Sequence, residues 1–198
     1  MTFDAMKTPD TPACATALEV ATAYCSPALL NHSVRAYVWA AAHGTAAGID
    51  FDPELLYVGA MFHDIALVPE FDSHTVGFDD ASGAVAWVFG AGAGWPVARR
   101  QRLVEVVIAH MLDEVDVNVD PEGYLLERST SLDISGRYMD DFSPAFKAEV
   151  LERYPRLGIA EEFLGCFRDQ AERKPKSSAA DAMRNNIAER ILSNQLDR

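Results

Sequence analysis

Residues 53–67, PELLYVGAMFHDIAL, decide the fold. Asp52 before Pro53 reads as an N-cap residue followed by the first residue of a helix. The apolar residues that come next carry that helix toward Pro69. His63 and Asp64 stand side by side inside this run. A carboxylate and an imidazole buried together cost free energy unless something compensates both. A divalent cation does so at once, because neutral imidazole and carboxylate are ligands it prefers. Neighbouring side chains on a helix point about 100° apart, so further ligands are expected from other helices.

Helical patterning continues on both sides. Upstream, ACATALEVATAYC (residues 13–25) forms one amphipathic helix, and residues 29–47 form a second that Gly48 ends. Downstream, the polar loop PEFDSHTVGF leads to DASGAVAWVFGAG, with Asp79 or Asp80 as its N-cap. VARRQRLVEVVIAHML (97–112) follows, then the acidic loop DEVDVNVDPEG, then the helix YLLERSTSLDISG (124–136). Helices at residues 143–154 and 159–173 complete the main domain, and KPKSS separates a last helix at residues 179–196. The prediction is an all-α bundle. Residues 1–26 form an N-terminal helix, residues 27–175 the main domain, and residues 176–198 a C-terminal helical tail.

Of the chain's 198 residues, 49% are hydrophobic and 24% charged, the profile of an ordinary globular protein. The formal charge of -13 repels phosphate backbones and anionic membranes, so neither nucleic acid nor membrane is expected as a partner. A small-molecule substrate is expected; a homo-oligomer is admissible, and the sequence does not decide the oligomeric state. Cys14, Cys25 and Cys166 form no CxxC pair, and MTFDAMKTPD lacks the apolar core of a secretory signal. Reduced thiols and a cytoplasmic location are therefore expected.

Two further residues suit a metal. In LLNHSVRAYVWA, His32 shares a helical face with Arg35 and Trp39. Asp133 lies between Leu132 and Ile134 near the C-terminal end of its helix, where the helix dipole disfavours a carboxylate and a cation partner would explain one. A histidine, a His-Asp doublet and a distant aspartate, all on helices, together resemble the HD superfamily of metal-dependent hydrolases. Within it the cyanamide hydratase branch is most similar, through NHSVR (31–35), FHDIA (62–66), VIAHM (107–111), SLDISG (131–136), ERYPR (152–156), GCF (165–167) and Lys174-Pro175. The resemblance implies an HD-domain bundle in which His32, His63, Asp64 and Asp133 hold one divalent transition metal. Zinc, iron, manganese, cobalt and nickel are all admissible, and some binuclear relatives carry a second ion. Four protein ligands would close a tetrahedral site, so the shell must be five- or six-coordinate to admit water.

His110 is the first candidate for general acid–base work beside the activated water, with a second-metal ligand and a core histidine as competing readings. Asp79 is the second catalytic candidate, because the family often places a carboxylate at this helix start; the alternative is a helix cap. Arg35, His74 and Lys174 are candidates for substrate contact. Arg35 could instead pair with a buried acid, and His74 could simply be solvated. Arg99, Arg100 and Arg102 read as a solvated helix face, and His43 is assigned no catalysis. DEVDVNVD lacks the glycine and terminal glutamate of an EF-hand loop.

Many HD phosphohydrolases carry lysine three residues after the doublet aspartate. Here that residue is Leu67, and Ala66 replaces the usual glycine. A missing cation weakens a phosphohydrolase reading, since phosphoryl transfer depends on clamping negative charge. The expectation is addition of water to a small molecule, a nitrile-like compound such as cyanamide. A nucleotide or phosphate-ester hydrolase is the alternative, and a non-catalytic metal or ligand sensor is a third reading.

Overall fold

The computed structural model describes residues 7–197; residues 1–6 and 198, the outer ends of the two terminal segments, lie outside it. Ten α-helices and no strands occur among the described residues. They are α1 (Pro12–Tyr24), α2 (Pro27–Ala47), α3 (Pro53–Phe62), α4 (Phe78–Gly92), α5 (Val97–Ala109), α6 (Pro121–Ser135), α7 (Pro144–Arg153), α8 (Ile159–Arg173), α9 (Ser178–Arg184) and α10 (Ile187–Leu192). The protein is an all-α helical bundle. No described helix is long and apolar enough to cross a membrane.

One local device starts five of these helices. Thr11, Ser26, Asp52, Asp120 and Ser143 each precede a proline, and each side chain accepts a hydrogen bond from an amide three residues on. The cap satisfies an orphan donor, and proline supplies a helical φ where no amide is needed. Gly48 and Gly136 close α2 and α6 at φ 69° and 71°, a conformation in which a Cβ would be strained.

Burial then orders the bundle. From Val34 to Ala42 α2 is buried on every face, so it must lie at the centre. It packs on α3 and α6, while α5 packs on α3, α4 and α6. Arg99 and Arg102 do not form the solvated face expected from sequence. Arg99 pairs with Asp52 and Glu54, and Arg102 with Asp120 and Glu122, tying α5 to the starts of α3 and α6. Arg100 lies over the Trp87 ring, 4.8 Å from its centroid.

Several boundaries differ from the sequence reading, among them the start of α6, which begins at Pro121 rather than Tyr124. α3 stops at Phe62 and a 3₁₀ turn follows at Ile65–Leu67, so His63 and Asp64 occupy a break in the helix. α4 is capped at Gly77, which puts Asp79 and Asp80 in its first turn and makes neither the cap. α5 ends at Ala109, leaving His110 just beyond it. The last helix is two short ones, divided where Asn186 adopts φ 61°.

The tail is docked. α10 packs on α6 and α8, and the Asn194 amide donates to the carbonyls of Asp133 (2.9 Å) and Ile134 (3.2 Å). Arg156 donates to the Asp133 carbonyl at 2.6 Å and pairs with Asp197. The end of α6, which would otherwise expose unsatisfied carbonyls, is thus sealed by residues of the chain's last turn. Asn194→Ala is expected to lower stability by about 1–3 kcal/mol, the cost of leaving such acceptors unmet, read as a lower urea midpoint with unchanged slope.

Candidate metal centre

Three elements bring the donors together. α2 presents His32, the break after α3 presents His63 and Asp64, and the residue after α5 presents His110. All four side chains are buried. The break solves the directional problem of a helical doublet. At Asp64 the backbone leaves the helical region, with φ -111° and ψ 8°, and adjacent side chains can then converge.

Hydrogen bonds fix which nitrogen each imidazole offers. His63 Nδ1 donates to the Ala60 carbonyl at 2.8 Å, and His110 Nδ1 donates to the Val107 carbonyl. His32 Nδ1 donates to the Asp133 carboxylate at 2.7 Å. Every Nε2 is therefore left to face Asp64. His63 Nε2 lies 3.0 Å from Asp64 Oδ2 and 3.0 Å from His32 Nε2; His32 Nε2 lies 3.3 Å from the same carboxylate oxygen. His110 Nε2 lies 3.5 Å from Asp64 Oδ1. These approaches are close but lack hydrogen-bond geometry for Asp64: both its oxygens, and His110 Nε2, are buried without a hydrogen-bond partner.

Lone pairs converging in a buried site repel unless a positive charge lies among them. His32, His63 and Asp64 form a group able to hold a metal ion, each offering an atom within 4.8 Å of the others. The separations fit. Metal–ligand bonds of about 2.0–2.1 Å put neighbouring ligands about 3 Å apart when they meet at right angles. Electrostatics agree. Burial pushes the His63 imidazole down and keeps it neutral. For His32, burial pushes down too, but Asp133 and Asp64 outweigh it and lift the group. The space between those carboxylates favours positive charge, as a proton or as a metal ion. Burial pushes Asp64 up, yet the surrounding imidazoles hold it well below the usual carboxylate range.

Asp133 is not brought into this group. It stands at the opposite edge of the His32 ring, with both oxygens engaged. Arg35 grips it through Nε to Oδ1 (2.8 Å) and Nη2 to Oδ2 (2.7 Å), and Trp39 Nε1 donates to Oδ1 at 3.0 Å. A carboxylate behind a ligating imidazole fixes its tautomer and raises its basicity. Burial pushes Asp133 up, and the Arg35 charge and fork outweigh it, holding the carboxyl well below its ordinary range.

The group opens into a cavity of about 400 Å³ that His32, His63, Asp64 and His110 line on one side. The other proposed contacts lie elsewhere. Arg35 is consumed by Asp133 and by the Tyr154 and Pro155 carbonyls. Lys174 is buried and donates to Asp72 (2.7 Å) and Gln170 (2.8 Å), which pins the loop after the 3₁₀ turn to the end of α8. His74 is exposed on that loop, and neither it nor Asp79 lines the cavity. His43 sits away from the cavity, its Nδ1 3.5 Å from Asp141. Burial pushes Cys25 up to about 12 and Cys166 to about 11, so neither is a thiolate near neutral pH.

Arg137, Asn185 and Arg190 do line the cavity, and the sequence reading missed them. Nothing in their local sequence marks them: Arg137 follows the end of α6, and Asn185 and Arg190 reach the cavity through the docking of the tail.

Comparison with curated proteins gives no match. An HD domain carrying a His–His–Asp group suited to a divalent metal supports a metal-dependent hydrolase in general terms. The family model described as HD domain matches residues 29–118, the span that holds His32, His63, Asp64 and His110.

Proposed function

We propose that the chain is a metal-dependent HD hydrolase or hydratase that adds water to an electrophilic carbon of a small polar molecule, with a nitrile-like group as the preferred target. The carrying observation is the buried Asp64 carboxylate, which lacks any hydrogen-bond partner and faces three Nε2 atoms. His32, His63 and Asp64 would hold one divalent transition metal. Asp133 orients His32 from behind, and Arg35 holds Asp133. Three donors gathered on one side leave the cavity side free for water and substrate, which four ligands around a tetrahedral ion would not.

A divalent ion held there supplies Lewis acidity and lowers the pKa of water. The chain's own residues do the rest. His110 Nδ1 is tied to a backbone carbonyl, so Nε2 is the free base at the cavity wall. It accepts a proton from the attacking water as oxygen bonds to the substrate carbon, and returns that proton to the substrate nitrogen. The second water proton moves to the same nitrogen on tautomerisation, which yields an amide from a nitrile or urea from cyanamide.

Leu67 is buried in the 3₁₀ turn and does not line the cavity, so the doublet brings no cation of its own to clamp a phosphoryl group. A side-by-side assay of small nitriles, cyanamide and a nucleotide panel tests the choice. Metal-dependent nitrile hydration, lost by at least a hundredfold in His110→Ala with metal retained, is the expected result. Robust nucleotide turnover with no nitrile hydration overturns it.

A further inference from the structure

The cavity is several times larger than the proposed chemistry requires. Cyanamide has three non-hydrogen atoms, and even a water molecule's share of liquid is about 30 Å³. About 400 Å³ lies within the range of pockets for much larger ligands. The space beyond the metal centre must therefore recognise something, and its walls show what.

Residues outside the matched span 29–118 build most of that outer half. α6 contributes Thr130, Ser131 and Ser135; the turn after it contributes Arg137; the tail contributes Asn185 and Arg190. Their donors and acceptors are unevenly committed. The hydroxyls of Thr130 and Ser135 donate to backbone carbonyls, and that of Ser131 donates to Glu127, so toward the cavity these groups offer lone pairs. The guanidinium groups offer protons. Of its five N–H bonds, Arg190 gives one to the Asn185 carbonyl at 3.3 Å. Arg137 gives one to Glu127 at 3.3 Å and one to the Tyr138 hydroxyl. Arg137 shares its charge with Glu127, whereas Arg190 has no carboxylate partner among the described residues. The acidic residues that line the cavity near them are placed elsewhere. Asp181 is paired with Arg184, and Asp113 lies on the exposed turn beyond His110.

We infer that Arg190 and Arg137 form an oxyanion subsite, which seats a carboxylate or phosphate group on the end of the substrate away from the reacting carbon. This rests on the hydrolase or hydratase reading of the metal centre and extends it to a longer substrate. A planar guanidinium matches either oxyanion through paired hydrogen bonds. N–H or O–H groups along the substrate would meet the lone pairs of Thr130 and Ser135. Specificity then resides in α6, the turn after it and the tail, and the reaction at the metal centre.

Calorimetric titration of the full chain as purified tests this, with inorganic phosphate and succinate as probes for the two oxyanion types. Arg190→Gln and Arg137→Gln should each weaken the better-bound probe about tenfold, with metal content unchanged. Arg190→Glu should abolish binding. Arg190 is exposed and donates one backbone hydrogen bond, so its replacement leaves the fold intact, checked by an unchanged melting temperature. No binding of either probe at millimolar concentration overturns the subsite. So does binding that His63→Ala removes and Arg190→Gln leaves untouched, since the anion would then sit on the metal alone. A chain without metal that still shows arginine-dependent binding would refute the hydrolase reading and keep the subsite.

Discussion

Asp64→Ala is expected to yield a folded protein that binds no metal and has no activity. The side chain is buried with both oxygens lacking a protein hydrogen-bond partner, so the fold does not depend on its hydrogen bonds. Its contribution is the negative charge on which the two Nε2 atoms, 3.0 Å and 3.3 Å away, converge. Without it the group retains two neutral nitrogens and loses its anion. Elemental analysis should find metal on the wild type and none on the variant. Thermal unfolding gives a second, independent readout. A ligand at a hundredfold excess over its Kd stabilises the folded state by about 2.7 kcal/mol, so added metal should raise the melting temperature of the wild type and leave the variant unmoved. His43→Ala, altered well away from the cavity, should keep metal and activity. Full metal occupancy in Asp64→Ala would remove the assignment.

The sequence showed the inner half of this site and hid the outer half, for a physical reason. His32, His63, Asp64 and His110 are polar residues inside apolar helical runs, and burial makes such residues expensive enough to be conspicuous. Helix starts were equally plain, since Ser, Thr or Asp before Pro carries its own geometry. Helix ends were not. The break after Phe62 occurs inside an unbroken apolar stretch, and it is what allows His63 and Asp64 to converge. Lys174 looked like a substrate contact because a lone cation near a pocket has that appearance in one dimension. Its partner, Asp72, is 102 residues distant in sequence and 2.7 Å distant in space. Arg190 is the converse case, a residue of an apparently simple tail that tertiary docking carries to the cavity wall.

Arg35→Ala is expected to be the most damaging single change to the fold. Arg35 is completely buried, and its fork makes two hydrogen bonds to Asp133 while Nη1 donates to the Tyr154 and Pro155 carbonyls. Removing it leaves a carboxylate buried beside His32 without its charge partner. Breaking such a pair costs about 3–5 kcal/mol, a large share of the roughly 5–15 kcal/mol that holds an ordinary domain together. Lysine cannot repair it, because a point ammonium does not reproduce the bidentate fork. Urea unfolding should show the drop directly. On the proposed assignment the same pair should also set how well a metal binds, since Asp133 would act on the ion only through the His32 ring. Asp133→Asn keeps one acceptor oxygen, enough for His32 Nδ1 and Arg35 Nη2. It sets amide N–H groups against Arg35 Nε and Trp39 Nε1 and removes the charge that balances Arg35, so stability should fall as well. Metal is therefore measured at a temperature where the variant is folded. Metal should remain stoichiometric with affinity reduced about 10–100-fold, as expected when the partner behind a ligand is weakened. Complete loss of metal from Asp133→Asn in a stably folded protein would instead place the Asp133 carboxylate in the ion's own shell.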